Sequence, residues 1–416
     1  MHSLSFPGAY GVLLRVILGV IVAHAPQWAA AQSRPADTFP IRQQPIDYFS
    51  DATRNPLAEL DARLATGVVR LTYAEGSPLG YLPSLLDALD IPVESQVLTF
   101  SAAARNAQLV TAKQPRAVYF NDDVYVGYVP GSPELELATF DADKGIVFFT
   151  LRQLASDSPR LDRDENCTQC HVHVRNTAGV PGLVLGTMLV EPPAKRSELV
   201  PLTLSQPWSE RFGTWYLTGR FGGQRHRGNS LGLPPEAAPG VTEGSPVPEN
   251  QFTTGQLAAR FDVTRYPSPH SDGVALLVLA HQVAVQNLTT RLLYEQAFRR
   301  ETQATEERLA RELLFADEQP MVGEWTGSSA FAQRYATPRE KCPVPNLREL
   351  DLHTRLYRWP LSPQFDARPL QALPTDLRAR LVRRLQLGLE GRDESLTLPH
   401  PEPDRRAARA ILGTVP

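Results

Sequence analysis

From Gly67 onward the chain alternates between short segments rich in β-branched and aromatic residues and clusters of Asn, Asp, Gly and Pro. This is the pattern of strands punctuated by turns. Residues 68–73 and 96–100 read as strands, with a short helix expected over 82–89 between them. Two hairpins follow. One joins 117–120 to 124–128 across Asn121-Asp122-Asp123, and the other joins 135–140 to 146–151 across Asp141-Ala142-Asp143-Lys144-Gly145. Asn, Asp and Gly tolerate the left-handed conformations that such turns demand. Further strands over 183–190 and 214–218 are expected to extend the sheet.

Residues 231–250 hold five prolines and read as a linker or long surface loop. Beyond them the period changes. Leu277, His281, Ala284, Leu288 and Leu292 recur at three- and four-residue steps, one face of an amphipathic helix. Ser268 and Pro269 are suited to its cap and first turn. A charged helical stretch is expected over 301–315, and 347–412 reads as helical with Arg-rich faces between Leu and Val. The implied fold class is α+β, with a β-rich region over 32–230 and a mainly helical region over 251–416.

The first 31 residues carry a different signal. Residues 16–25 are apolar apart from His24, and Arg15 is the only Lys or Arg before them. Ala29-Ala30-Ala31 then suits the small-residue requirement of signal peptidase. The run is short against the roughly 20 residues of a spanning helix, so a cleaved secretory signal is expected over 1–31. No other stretch reads as a span. The mature chain is therefore expected to be periplasmic or otherwise exported, without a membrane span. A net charge of −3 over 416 residues lacks the basic footprint of a nucleic-acid partner.

Only three cysteines occur, Cys167, Cys170 and Cys342, which is not the even set of a disulfide framework. Two of them belong to Cys167-Thr168-Gln169-Cys170-His171, the C-x-x-C-H pattern of c-type haem attachment. Two thiols three residues apart can form thioethers to the two vinyl groups along one haem edge. The following histidine is then held beneath the iron as proximal ligand. One covalent haem c and its iron are the expected cofactor. Three other uses of the pair remain open. A zinc site needs two more ligands, for which Cys342 and His173 are at hand. A thiol–disulfide exchange pair wants an electropositive setting, whereas Arg163-Asp164-Glu165-Asn166 is acidic. A plain disulfide leaves His171 unexplained. A metal-bound histidine normally donates its second ring N–H to a carbonyl, and Gly179-Val180-Pro181-Gly182 lies where c-type cytochromes often place a Pro carbonyl for that purpose.

The sixth iron position separates an electron carrier from a haem enzyme. Candidates are His173, Met188, His226, His270, His281, Met321 and His353. His173 lies too close to His171 to reach the opposite face, and Met188 falls in an expected strand. His281 stands on the apolar helical stripe, and His226 lies in the basic loop Arg225-His226-Arg227-Gly228-Asn229. These two are the distal candidates retained, as ligands or as distal acid/base groups. The redox partner or substrate is not indicated.

The chain resembles an uncharacterised group of exported bacterial proteins with a cytochrome c domain and one C-x-x-C-H in mid-chain. The likeness rests on residues 119–127, on Cys167 to His171, on Val180-Pro181-Gly182, and on Arg211-Phe212-Gly213-Thr214-Trp215-Tyr216. It continues through Pro269-His270-Ser271-Asp272, Ala280-His281-Gln282 and residues 351–356. Thr214 stands where similar sequences tend to have Gly, and His173 is an addition. The resemblance implies haem, iron and export, but no reaction. The expected function is that of an exported monohaem protein passing electrons. The alternative is a haem enzyme with an open distal site.

Overall fold

The computed structural model describes residues 38–51, 53–101, 105–191, 196–230, 251–338 and 345–413. The expected signal at 1–31, the proline-rich stretch 231–250 and Cys342 lie outside the described residues. The α+β class holds: antiparallel sheets dominate the N-terminal half and helices the C-terminal half.

In chain order the N-terminal half contains α1 (Pro56–Ala65), α2 (Leu82–Ala88), β1 (Val97–Thr99), β2 (Arg116–Phe120), β3 (Val124–Tyr128), β4 (Glu134–Asp141), β5 (Gly145–Arg152) and β6 (Leu161–Arg163). After two short helical turns, α3 (Thr168–His171) and α4 (Val174–Thr177), come β7 (Gly186–Glu191), β8 (Arg196–Pro201), β9 (Trp215–Tyr216) and β10 (Gly219–Phe221). The main sheet has seven strands in the order β6-β5-β4-β3-β2-β1-β9. Both expected hairpins form, β2–β3 and β4–β5.

Directly opposed residues of an antiparallel pair share a face, so the register defines two rows on one side of this sheet. The first runs Phe148, Ala138, Tyr125, Phe120, and the second runs Thr150, Glu136, Gly127, Val118. The first row is apolar and meets the long helix α6 (Gly273–Ala297). There the Tyr125 hydroxyl donates to Gln286 Oε1 at 2.8 Å and accepts from Gln282 Nε2 at 2.7 Å.

Of three further strand expectations, two are corrected and one holds. Residues 68–73 do not form a strand, because their backbone is satisfied locally: Val69 N by Arg63 O, and Thr72 N by Ser84 Oγ. Val68 is consequently 71% exposed. The 183–190 segment does not extend the main sheet. Its strand begins only at Gly186 and pairs with β8 as a separate ribbon, since Leu183 is already held by a side chain of α6. The 214–218 segment does extend the sheet, through β9 against β1.

Helix α6 also departs from expectation. It starts at Gly273, where Asp272 Oδ1 accepts from Val274 N and Ala275 N, and not at Ser268-Pro269. Rather than presenting one apolar face it is buried almost all round. By length and composition it could cross a membrane, contrary to the reading that no further stretch would. However, 94% of its most apolar window is covered by the protein's own core. Its N-terminal half joins the sheet core, which mixes residues from both sides of 231–250, among them Tyr119, Phe148, Leu277 and Trp325. Besides α6 the chain also forms α5 (Thr254–Ala258), α7 (Gln303–Leu313), α8 (Phe331–Ala336), α9 (Arg368–Gln371), α10 (Thr375–Glu390) and α11 (Glu402–Leu412). The C-terminal half of α6 packs with α7, α10 and α11 in a Leu-rich second core that includes Leu288, Leu292, Leu313, Leu377 and Leu381. The region 347–412 is thus only partly helical.

Thr214 has φ +70°, a left-handed conformation that a β-branched residue adopts only with strain. A glycine accepts it freely at a smaller entropic cost. Thr214→Gly should therefore stabilise the protein by about 1 kcal/mol, read as a higher denaturant midpoint with unchanged slope. A lower midpoint would show that the Thr214 side chain contributes more than its backbone costs.

Candidate functional site

The motif sits on a helical turn launched from the end of β6. Asp164 caps it by accepting from Asn166 N at 3.0 Å, and the turn Glu165–Cys167 runs directly into α3. In such a turn positions i, i+3 and i+4 share one side, which places Cys167, Cys170 and His171 on the same side of the turn. Cys167 is half-buried, Cys170 is exposed, and both thiols are free.

His171 is fixed from its Nδ1 edge. That nitrogen lies 2.8 Å from the carbonyl oxygen of Gly182. A carbonyl only accepts, so the proton resides on Nδ1 and the lone pair on Nε2. Nε2 has no hydrogen-bond partner among the described residues. The expected Pro181 carbonyl is not the acceptor: Pro181 is bridged to Val172, and Gly182 N donates to His171 O at 2.9 Å, which brings the next carbonyl round to the ring.

This carbonyl is in turn held by α6. Asn287 accepts from Leu183 N and donates to Leu183 O, both at 2.8 Å, and Arg291 donates to Ala178 O at 2.8 Å. A Cβ on Gly182 would lie 2.6 Å from Asn287 Oδ1 and 2.9 Å from Thr177 Cβ, so the position admits only glycine without a shift. Gly182 lies in the segment expected to supply this carbonyl, one residue past Pro181, whereas Asn287 carries no sequence signal of its role; a helix Asn reads as one polar residue among many.

The ring of His171 packs against Phe148, with centroids 4.6 Å apart. Burial pushes its pKa down to about 4, against the Gly182 hydrogen bond and with help from the positive charge of Arg116. The imidazole is thus kept neutral, the form that binds a metal. Burial pushes the Cys167 thiol up despite nearby Arg105, the opposite of what a thiol–disulfide exchange nucleophile requires. Among the described residues no group of three His, Cys, Asp or Glu converges as a zinc site would need.

The other sequence candidates are dispersed. His281 is fully buried in α6, where its Nε2 meets Ser362 Oγ at 2.7 Å and its ring lies beside Phe315 and Tyr357. These partners belong to the C-terminal half. Among the described residues its Nδ1 has no hydrogen-bond partner, and Glu312 Oε2 lies 3.9 Å away. His226 accepts from Gly228 N at 3.1 Å and sits among Phe212, Phe221 and Trp325. His270 meets Ser328 Oγ at 3.0 Å. His173 is exposed and caps α4 by accepting from Arg175 N. Met321 lies in the sheet core, His353 is exposed, and Met188 stands on β7.

Comparisons with protein-family models, curated proteins and solved structures return no match for this chain.

Burial also holds His226 and His400 down to about 4 and His281 to about 3, against an ordinary value near 6.5. A group whose folded pKa is depressed stabilises the fold above its unfolded pKa and loses that contribution as pH falls toward the folded one. Stability of the chain should therefore decline from about pH 6.5 down to about pH 4, less the opposite contribution of Glu312 and Glu318, which burial raises to about 7. Urea midpoints across that range test this, and His281→Gln should show a shallower decline than the unmodified chain.

Proposed function

We propose that this chain is an exported monohaem c-type protein. In this reading Cys167 and Cys170 carry the porphyrin through thioethers, and His171 ligates the iron through Nε2. The observation that carries the reading is the hydrogen bond from His171 Nδ1 to the Gly182 carbonyl. It presents an unprotonated Nε2 on the same helical turn as two unbridged thiols. The donor set suits a haem better than a bare metal ion, because a porphyrin supplies the equatorial nitrogens and asks the protein for one axial imidazole. When bound, the group supplies a one-electron redox centre.

The residues around it have separable tasks. Gly182 sets the tautomer and aim of His171, and partners of this kind tune both the affinity and the basicity of a metal-bound histidine. Phe148 excludes water from one flank of the ring, and Asn287 and Arg291 hold the 178–183 backbone against α6. Export, expected from residues 1–31, fits a group that bacteria attach outside the cytoplasm.

Electron transfer with a protein partner is the leading activity. The reading of an open distal site, with chemistry on a small oxidant, draws support from a specific observation. The rings of His281 and His226, the two distal candidates, are engaged away from the motif, among residues of the C-terminal half and of the Phe212–Trp325 cluster respectively.

Expression with haem-maturation machinery tests attachment directly. The product should carry the mass of one haem, retained after denaturation, with a Soret band; Cys167→Ala with Cys170→Ala should abolish covalent retention. A bare polypeptide mass in the unmodified protein removes the reading. A low-spin spectrum indifferent to carbon monoxide favours the carrier, whereas a high-spin form that binds it favours the enzyme.

A further inference from the structure

The second row of the main sheet carries a charge, Glu136, where the inner face of a sheet is ordinarily apolar. Glu136 and Gly127 are direct partners across β4 and β3, and Thr150 opposes Glu136 on β5, one pleat from Phe148. Arg116, at the start of β2, reaches across Gly127 to form an ion pair with Glu136. A Cβ at position 127 would lie 2.6 Å from Arg116 Nη2 and 3.0 Å from its Nε, so the guanidinium lies flat on bare backbone. The two side chains are 18% and 19% exposed. A largely buried ion pair is weak as a stabilising device, since well-packed apolar residues often do as well. Its position is more telling: it shares the sheet face of Phe148, on which the His171 ring rests.

We infer that Arg116 and Glu136 set the reduction potential of the group held by Cys167, Cys170 and His171, with Arg116 raising it and Glu136 lowering it. This rests on the haem reading above. The physical basis is the sign of charge. Loss of an electron adds one positive charge at the iron, so a nearby guanidinium disfavours the oxidised form and a nearby carboxylate favours it. Both charges stand beside the ring that carries His171: Glu136 is the diagonal neighbour of Phe148 across β4 and β5, Arg116 is paired to Glu136, and the His171 ring lies on Phe148 with centroids 4.6 Å apart. Limited exposure keeps solvent from screening the pair. Gly127 is the positioning residue, because any side chain there would lift the guanidinium off the sheet.

The test is a spectroelectrochemical titration of the haem-loaded protein and three variants, each first checked for covalent haem and Soret position. Arg116→Gln is expected to lower the midpoint potential and Glu136→Gln to raise it. Arg116→Lys, which keeps the charge, should stay close to the unmodified protein. Shifts of the same sign in the two Gln variants, or no shift in either with haem content unchanged, overturn the inference and leave the pair a structural clamp. Should Arg116→Gln fail to fold, the decision falls to the other two: a raised potential in Glu136→Gln with Arg116→Lys unmoved supports it, and any other outcome sinks it. A loaded protein whose potential ignores both residues defeats this inference alone. An unmodified protein that takes up no haem defeats the attachment reading and this inference together.

Discussion

Helix α6 is enclosed by the protein on almost every side, yet it carries Gln282, Gln286, Asn287, Thr289, Thr290 and His281 among its buried residues. Buried polar groups need partners, and an unpaired one costs about 1–3 kcal/mol. Gln282, Gln286, Asn287 and His281 therefore tie the helix to its surroundings. Gln282 donates to the carbonyl of Asn121 in the β2–β3 turn and to Tyr125, and Gln286 accepts from Tyr125. Asn287 engages the backbone of Leu183, and His281 engages Ser362 in the C-terminal half. Thr289 and Thr290 turn back on the helix itself, to Val285 O and Gln286 O. The apolar remainder of α6 contributes cohesion without direction; these side chains supply the register between sheet, motif loop and helical core.

The motif depends on that register. His171 is oriented by one carbonyl, and this carbonyl is oriented by a side chain over a hundred residues away in sequence. Glycine at 182 is required by the closeness of Asn287 and Thr177, so the same contact that holds the loop also limits what can stand in it. The imidazole's neutral state follows from burial against Phe148, whose strand is fixed by the hairpin it forms with β4. A loop bearing these three reactive groups on a mobile segment would offer the same chemistry without a defined axis for the ligand. The scaffold supplies the axis.

Charge is distributed unevenly around the motif. Arg105 joins Asp164, the cap of the motif turn, to Glu134 on β4, and Arg116 joins Glu136 on the same strand. Glu134 and Glu136 alternate with Leu135 and Leu137, so the carboxylates lie on one face and the leucines on the other. From Ala138 onward both faces of β4 are buried, so the carboxylates form a local charged patch on the same face that farther along meets α6.

Local chemistry was enough to read several features from the chain. The C-x-x-C-H pattern is contiguous, and its three groups need only one helical turn to meet. The two hairpins are specified by their own turn residues, and α2 and α7 by short-range patterns. The α+β division follows from the change of period after residue 250. What the chain alone did not disclose are matters of partnership. Residues 68–73 have strand composition but no neighbouring strand to pair with. The segment from 183 loses its first residues to Asn287, and α6 looks amphipathic until both of its remaining faces are covered by the sheet and by α7. Likewise a histidine on an apolar stripe and another in a basic loop are equivalent on paper, and only packing sends His281 to Ser362 and His226 to an aromatic cluster. Covalent spacing is written in the order of residues, whereas the choice of hydrogen-bond acceptor, of tautomer and of neighbouring charge belongs to groups distant in sequence that meet only when the core closes.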